Sequence, residues 1–488
     1  MYAGYDGEIL VESGNSIKSY NTVTKEVTKL FNLLDVNISS SFAGHVYRDS
    51  EKNIHIHYSE LKQVERDDGM GGTRLDYTSV PYSAVIRRFE PGTVSEPEVI
   101  WLACRYANPD LKSVVNEYNK AHPETKVKIK VYSDEYADVD AYEEAYDRDI
   151  LNGEVYDIIK FDVGTNIDKY TEKGIIENLM PYIENDSSFD INDYFENILL
   201  AEKEGDKLYS IVSGATLSGL VGNTDVFGNR EKLSMDDIYR EREVRPTIPF
   251  MEAGTDMNVL FSFLNEDYRL FLGGKRDEYD FETDEFKKLC KFAATFERST
   301  DELIPFYGYS DIADGTEVIG VSHYYSYEGF LLLRACKNVM SYGGPSIEGN
   351  GYYIDPYTRY SMSALSTHKE EAWNIIKCLL NYSASDSSDC FKACKKVFNT
   401  ELESMYWRCQ DGYVIRMGAE SYHLTMDKSD YETFTEMIEG ATPECSPDLV
   451  IRRIVIEEIP AYFSGMKSLD EVIKIIQKRV NLYLEEKK

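Results

Sequence analysis

Histidines, cysteines and paired carboxylates build most catalytic and metal sites, and this sequence spaces them sparsely. His55 and His57, in KNIHIHYSEL, lie on one face of a strand and could offer two imidazoles to a metal. No third ligand is near in sequence, so ordinary strand histidines are expected. Glu457 and Glu458 are adjacent in IVIEEIPAYF, but helix neighbours point about 100° apart and do not make an acid–base pair by position. Asp134 to Glu144 is acidic without the glycine and spacing of a calcium loop. Of the eight cysteines, Cys390 and Cys394 share an i, i+4 spacing, yet a second pair of metal ligands is missing, and buried or free thiols are expected. There is no G-x-S-x-G, HExxH, P-loop or strand-linked GxGxxG. No catalytic residue, metal site or cofactor is expected, and the chain reads as a non-enzyme.

A different pair of residues stands where ligands are held. Val99 to Ala103 is an apolar run of strand length that ends on Arg105 and Tyr106. Asn108 is a good N-cap and Pro109 suits the first helical position. Leu111, Val114, Val115 and Tyr118 then recur at the spacing of one helical face. Lys126 to Tyr132 alternates, with Val127, Ile129 and Val131 on one side. A strand, crossover helix and strand make parallel neighbours, so an α/β sheet opens here. Ligands of such sheets sit beyond the carboxyl ends of the strands, where Arg105 and Tyr106 fall.

The elements around this unit divide the chain. With 488 residues, two or three domains are expected. Residues 1 to about 96 alternate in short segments with hairpin turns near Thr24-Lys25 and Ser50–Lys52, which is antiparallel β in character. Residues 67–72 form a loop and 90–97 a linker. The β-rich segment resembles the end of a β-propeller, too short to close a ring alone. From Pro97 onward strands alternate with helices. Asp157 to Phe161 is predicted as a buried strand, Ile167 to Lys173 as a helix closing at Gly174, Asp206 to Ile211 and Ser361 to Leu365 as short strands. Thr367 with Glu370, and Ser468 with Glu471, are spaced as capping boxes. The net charge of −33 argues against nucleic acid or an anionic membrane as partner. No apolar run is long enough to span a bilayer, and no signal peptide is visible at the N-terminus.

The α/β portion resembles a family. LNGEVYDIIKFDVGTNIDKYTEKGIIENLMPYIE, from Leu151, is similar to the first-lobe signature of extracellular solute-binding proteins of ABC importers, family 1. EGDKLYSIVSGATLSGLVGNTDVFG matches the crossing to the second lobe. SYGGPSIEGNGYYIDPYTRYSMSALSTHKEEAWNIIKCLLNY matches the return crossing and its Trp-bearing helix. IRRIVIEEIPAYFSGMKSLDEVIKIIQKRVNLYLEE is similar to the C-terminal helices. The family often has Pro after the Leu-Tyr of the crossover, where Ser210-Ile211-Val212 stands here.

The resemblance implies a two-lobed periplasmic-binding-protein-like α/β fold with hinge strands behind an N-terminal β-rich segment. The solute-binding domain is expected over 97–488. Its first lobe covers about 97–210 and 345–385, its second about 211–344, and helices 386–488 pack across both. A solute, expected to be an oligosaccharide, would lie in a cleft between lobes that close on a hinge. Arg105, Tyr106, Phe161 and Asp162 at strand ends would line it, with Thr216, Tyr342 and Gly344 beside the crossings. Aromatic faces would meet sugar rings and charged groups their hydroxyls. For all of these but Thr216 a plainer role stays open. Tyr106 and Phe161 would be core aromatics, Arg105 a partner for an acid and Asp162 a helix cap. Tyr342 and Gly344 would be backbone features of the crossing. The partners implied are ABC permease subunits, with the protein a monomer at the extracellular surface and its signal and lipid anchor upstream of Met1. A sensor docking a partner through the β segment, or a binder of a non-sugar polar solute, is the alternative.

Overall fold

A computed structural model describes the chain except residues 1, 5–6, 14, 39–42, 68–72, 90–91, 93–95, 137, 247–249, 251–253, 277, 299–311, 313–316, 325–326, 383–389, 418–419, 446 and 487–488. The loop expected at 67–72 and most of the linker at 90–97 lie outside the described residues. The chain forms two compact units: residues 1–215 with 356–407, and residues 216–355 with 408–488. The divisions fall within the strands Ile211–Asn223 and Tyr353–Met362 and the helix Lys395–Gln410.

The first unit opens with two antiparallel sheets. Tyr2–Ala3, Glu8–Ser13, Ser16–Asn21 and Val27–Asn32 form a meander, and Ala43–Arg48, Ile54–Asp67 and Thr73–Ile86 a second sheet. Both expected hairpin turns are present, and Lys25 and Lys52 take positive φ within them. Alternation sends Leu10, Ile17, Val46, Ile54 and Ile56 into one shared core with Leu33.

The α/β sheet of this unit follows the pattern of its sequence. Glu98–Cys104 pairs in parallel with Thr125–Val131 and with Ile158–Asp162. The helix Pro109–Ala121 crosses between the first two, and the Asn108 side chain accepts the Leu111 N–H at 3.0 Å. Ile158–Asp162 pairs on its other side, antiparallel, with Thr358 to Met362. The β segment is anchored to this layer. Lys62 Nζ reaches Glu117 (2.6 Å), Lys120 Nζ reaches Glu60 (2.7 Å), and Asn15 Nδ2 donates to Asp134 (2.8 Å).

Three local expectations are corrected. The strand expected at Asp206 to Ile211 begins at Ile211 and runs to Asn223, because Glu204 and Lys207 pair across a tight turn with Gly205 at φ +60°. The strand expected at Ser361 to Leu365 ends at Met362 and begins earlier, at Tyr353. Thr367 does not cap the helix Lys369–Leu380. Its N-cap is His368, held by the Asp157 carboxylate at 3.0 Å, which also accepts the Ser366 hydroxyl at 2.6 Å. The other capping box is present: Ser468 and Glu471 exchange bonds at the start of Leu469–Glu486.

In the second unit, residues 217–223 pair antiparallel with Ile319–Tyr324 and Val339–Tyr342. The helices Asp256–Asp267, Asp284–Ala293, Leu449–Glu458 and Leu469–Glu486 bury Leu260, Phe286, Ile454 and Ile476 in one core with Leu220.

Candidate functional site

The strands Glu98–Cys104 and Ile158–Asp162 end side by side, as parallel pairing requires, and their carboxyl ends carry four of the expected residues. Arg105 is tied down by bonds the sequence does not announce. Its guanidinium donates to Thr165 Oγ1 at 2.8 Å and to Asp147 Oδ1 at 3.3 Å, and lies 5.1 Å from the centre of the Tyr146 ring. Asp147 also accepts Lys169 Nζ and the Tyr170 hydroxyl. Burial alone would raise the Asp147 carboxyl. The Lys169 and Tyr170 bonds, with the Lys169 and Arg105 charges, outweigh burial and hold it below its usual range.

Asp162 shares this network. Its carboxylate pairs with the buried Lys160 and its carbonyl accepts Arg359 at 2.8 Å. Arg359 comes from the antiparallel strand alongside, donates a second bond to the Thr165 carbonyl at 2.9 Å, and pairs with Glu202. Burial raises Glu202, and the Arg359 charge opposes that rise. Thr165 thus joins Arg105 to Asp162 and Arg359. Asp162 caps no helix, since the following one, Asp168–Thr171, has Ile167 at its N-cap.

The two aromatics part company. Phe161 is 1% exposed and packs on Tyr170, ring centres 5.0 Å apart, under the network. Tyr106, next to Arg105 in the chain, is 58% exposed. Chemically this edge offers a flat apolar face, a partly exposed carboxylate at Asp162 and a guanidinium already bound in place.

The remaining three expected residues belong to the second unit and are buried there. Thr216 lies in a strand buried along its whole length. Tyr342 packs edge-on against Phe227, donates its hydroxyl to the Gly228 carbonyl at 2.7 Å, and is pushed up to about 12 by burial. Gly344 donates its N–H to the Gly351 carbonyl at 2.7 Å, and a Cβ there would stand 3.4 Å from Glu266 Oε2. Glu266 is a carboxyl that sequence reasoning missed, as is Glu444. Burial pushes it up to about 8, with Ser218 opposing and Asp267 adding. Glu444 is raised well above its usual range by burial and by the Asp355 and Glu266 charges. In sequence each is one acid among 86, so nothing marks it. Arg359 and Asp147 were missed because their partners are distant along the chain. Among the described residues no group of three or more His, Cys, Asp or Glu could hold a metal ion.

No family model matches the chain, and no curated protein matches it. Solved structures do. The sugar-binding protein MalE from Xanthomonas citri matches with a TM-score of 0.55 and 15% identity, over 80% of this chain and 98% of its own. The cyclic alpha-maltosyl-1,6-maltose binding protein from Arthrobacter globiformis matches with a TM-score of 0.51 and 11% identity, over 80% and 100%. The ABC substrate-binding protein Lmo0181 from Listeria monocytogenes, solved with cycloalternan, gives 0.50 and 13%, again over 80% and 100%. The α/β fold is thus the one these solute-binding proteins share.

Proposed function

We propose that the chain is the solute-capturing component of an ABC importer, binds a carbohydrate without transforming it, and passes it to permease subunits. The observation that supports this best is the fold itself, which spans the whole or nearly the whole length of three binding proteins whose names or bound ligands are saccharide-related. The strand-end edge of the first unit adds to it. Tyr106 supplies a stacking face, and Asp162 and Arg105 supply hydrogen-bonding groups of both signs around it. Such groups reward only a ligand that satisfies them, which is the source of selectivity.

The protein acts as a monomer, outside the cell and held at its surface by a lipid anchor, and the β segment at 1–96 is the closing part of a β-propeller. Among the described residues no helix is long and apolar enough to cross a membrane.

A thermal-shift screen against mono- and oligosaccharides tests the reading. A true ligand at 100 times its Kd adds about 2.7 kcal/mol to the native state and raises the melting temperature. Tyr106→Ala should weaken that ligand by about fivefold or more, the loss of one good aromatic contact of about 1 kcal/mol. Because Tyr106 is exposed, melting of the unliganded variant should stay where it was. A saccharide panel that moves nothing, or an affinity untouched in the variant, sinks the carbohydrate reading or removes Tyr106 from the site, respectively.

A further inference from the structure

Three of the chain's seven histidines lie on one outward face of the Ala43–Arg48 and Ile54–Asp67 strands, far along the chain from the Arg105 cluster. The register explains how. His45 pairs directly opposite His57 and Tyr47 opposite His55, while the intervening Val46, Ile54 and Ile56 point into the core. The His45 and His57 rings are 6.2 Å apart between centres and within 19° of parallel. Both residues are exposed. Tyr47 buttresses the group: its ring stacks on His55 at 4.6 Å and lies 5.7 Å from His45 and 6.1 Å from His57.

Hydrogen bonding leaves the right nitrogens open. Nδ1 of His57 meets Ser83 Oγ at 2.8 Å, which holds that nitrogen and leaves Nε2 for another partner. A metal-binding histidine ordinarily has its other ring nitrogen held by a hydrogen bond, and the Ser83 hydroxyl supplies one here. His55 is spent differently, with Nε2 on the Asp49 carboxylate at 2.9 Å. A cation about 2.0–2.1 Å from a ring nitrogen sits on the order of 3 Å from that ring's centre. The two rings stack with their faces toward each other, so sharing one ion requires the exposed His45 ring to turn about its side-chain bonds toward His57 Nε2, which its directly opposed strand position allows.

We propose that His45 and His57 form a two-imidazole chelate for a divalent first-row transition cation, with water completing the coordination. Neutral imidazoles suit copper, nickel and zinc, and the affinity order places copper first. Calcium and magnesium want oxygen ligands, which this pair does not supply. The site does not depend on the saccharide reading, and it uses residues outside the Arg105 cluster.

The test is calorimetric titration of the full, untagged chain with Ni²⁺ in excess Mg²⁺, so that the many carboxylates are already occupied. A Cys378→Ser background removes the exposed thiol, the main competing soft ligand. One equivalent should bind. His45→Gln and His57→Gln should each weaken it tenfold or more, while His122→Gln stays within threefold, and all variants should melt like the parent because the side chains are exposed. Absence of saturable binding overturns the proposal. So does binding that survives in the double variant, or that is lost in only one of the two single variants.

Discussion

Glu266 sits in the interior of the second unit with its carboxyl pushed up to about 8 by burial, against 4.5 as its ordinary value. Between those values the folded protein keeps a proton that the unfolded chain has released. The stabilising contribution is therefore complete below about 4.5 and falls as pH rises to about 8. Glu266→Gln should remove this part of the slope and leave the protein more stable than the parent at pH 8, by on the order of a few kcal/mol. Urea unfolding of both proteins at pH 5 and pH 8 checks it, and an unchanged difference between the two pH values would refute the buried proton. At the same scale, Arg105 and Tyr106 could be singled out from sequence because a strand end followed by an N-cap is a local pattern. Phe161 and Asp162 were harder to tell apart in advance. A strand covered on both faces has no alternation, so its residues do not announce which side chain is core and which is edge.

At the scale of elements, the strand Ile211–Asn223 shows what close packing demands. Gly219 has no room for a side chain: a Cβ there would lie 2.8 Å from Tyr352 Cδ1 and 3.1 Å from the Tyr342 carbonyl. Gly219→Ala should destabilise the second unit by about 1–3 kcal/mol, the usual cost of overpacking. Chemical denaturation measures the loss, and a variant as stable as the parent would mean that Tyr352 moves aside freely. Helix ends were more legible than strand ends. Asn108 and the Ser468–Glu471 pair cap as their spacing predicts, since a cap uses groups two or three residues away. Thr367 fails because Asp157, more than 200 residues earlier, draws Ser366 and His368 and sets the entry to that helix instead.

At the scale of the whole molecule, the first 96 residues belong to the first compact unit. The single turn Leu33–Val36 packs against Thr125–Val131, the last strand in its sheet. Lys126 on that strand gives its ammonium to Asn37 and to the Leu34 carbonyl at 3.5 Å. Beginning the chain at Pro97 should therefore uncover a strand edge and lower the melting temperature, on the order of 2 °C or more. Scanning calorimetry of the two chains checks it. Equal melting would make the β segment an independent passenger.

Reading the residues in order was enough for the α/β class, the β-rich front, the crossover helix and most caps. Each depends on hydrophobic period or on atoms a turn apart, and those are properties of a short stretch. Which strand lies beside which, and hence that Arg105 meets Asp147 or that Arg359 meets Asp162, came from long-range pairing. A contact between residues far apart in the chain depends on how every intervening element packs, and no local pattern carries that information.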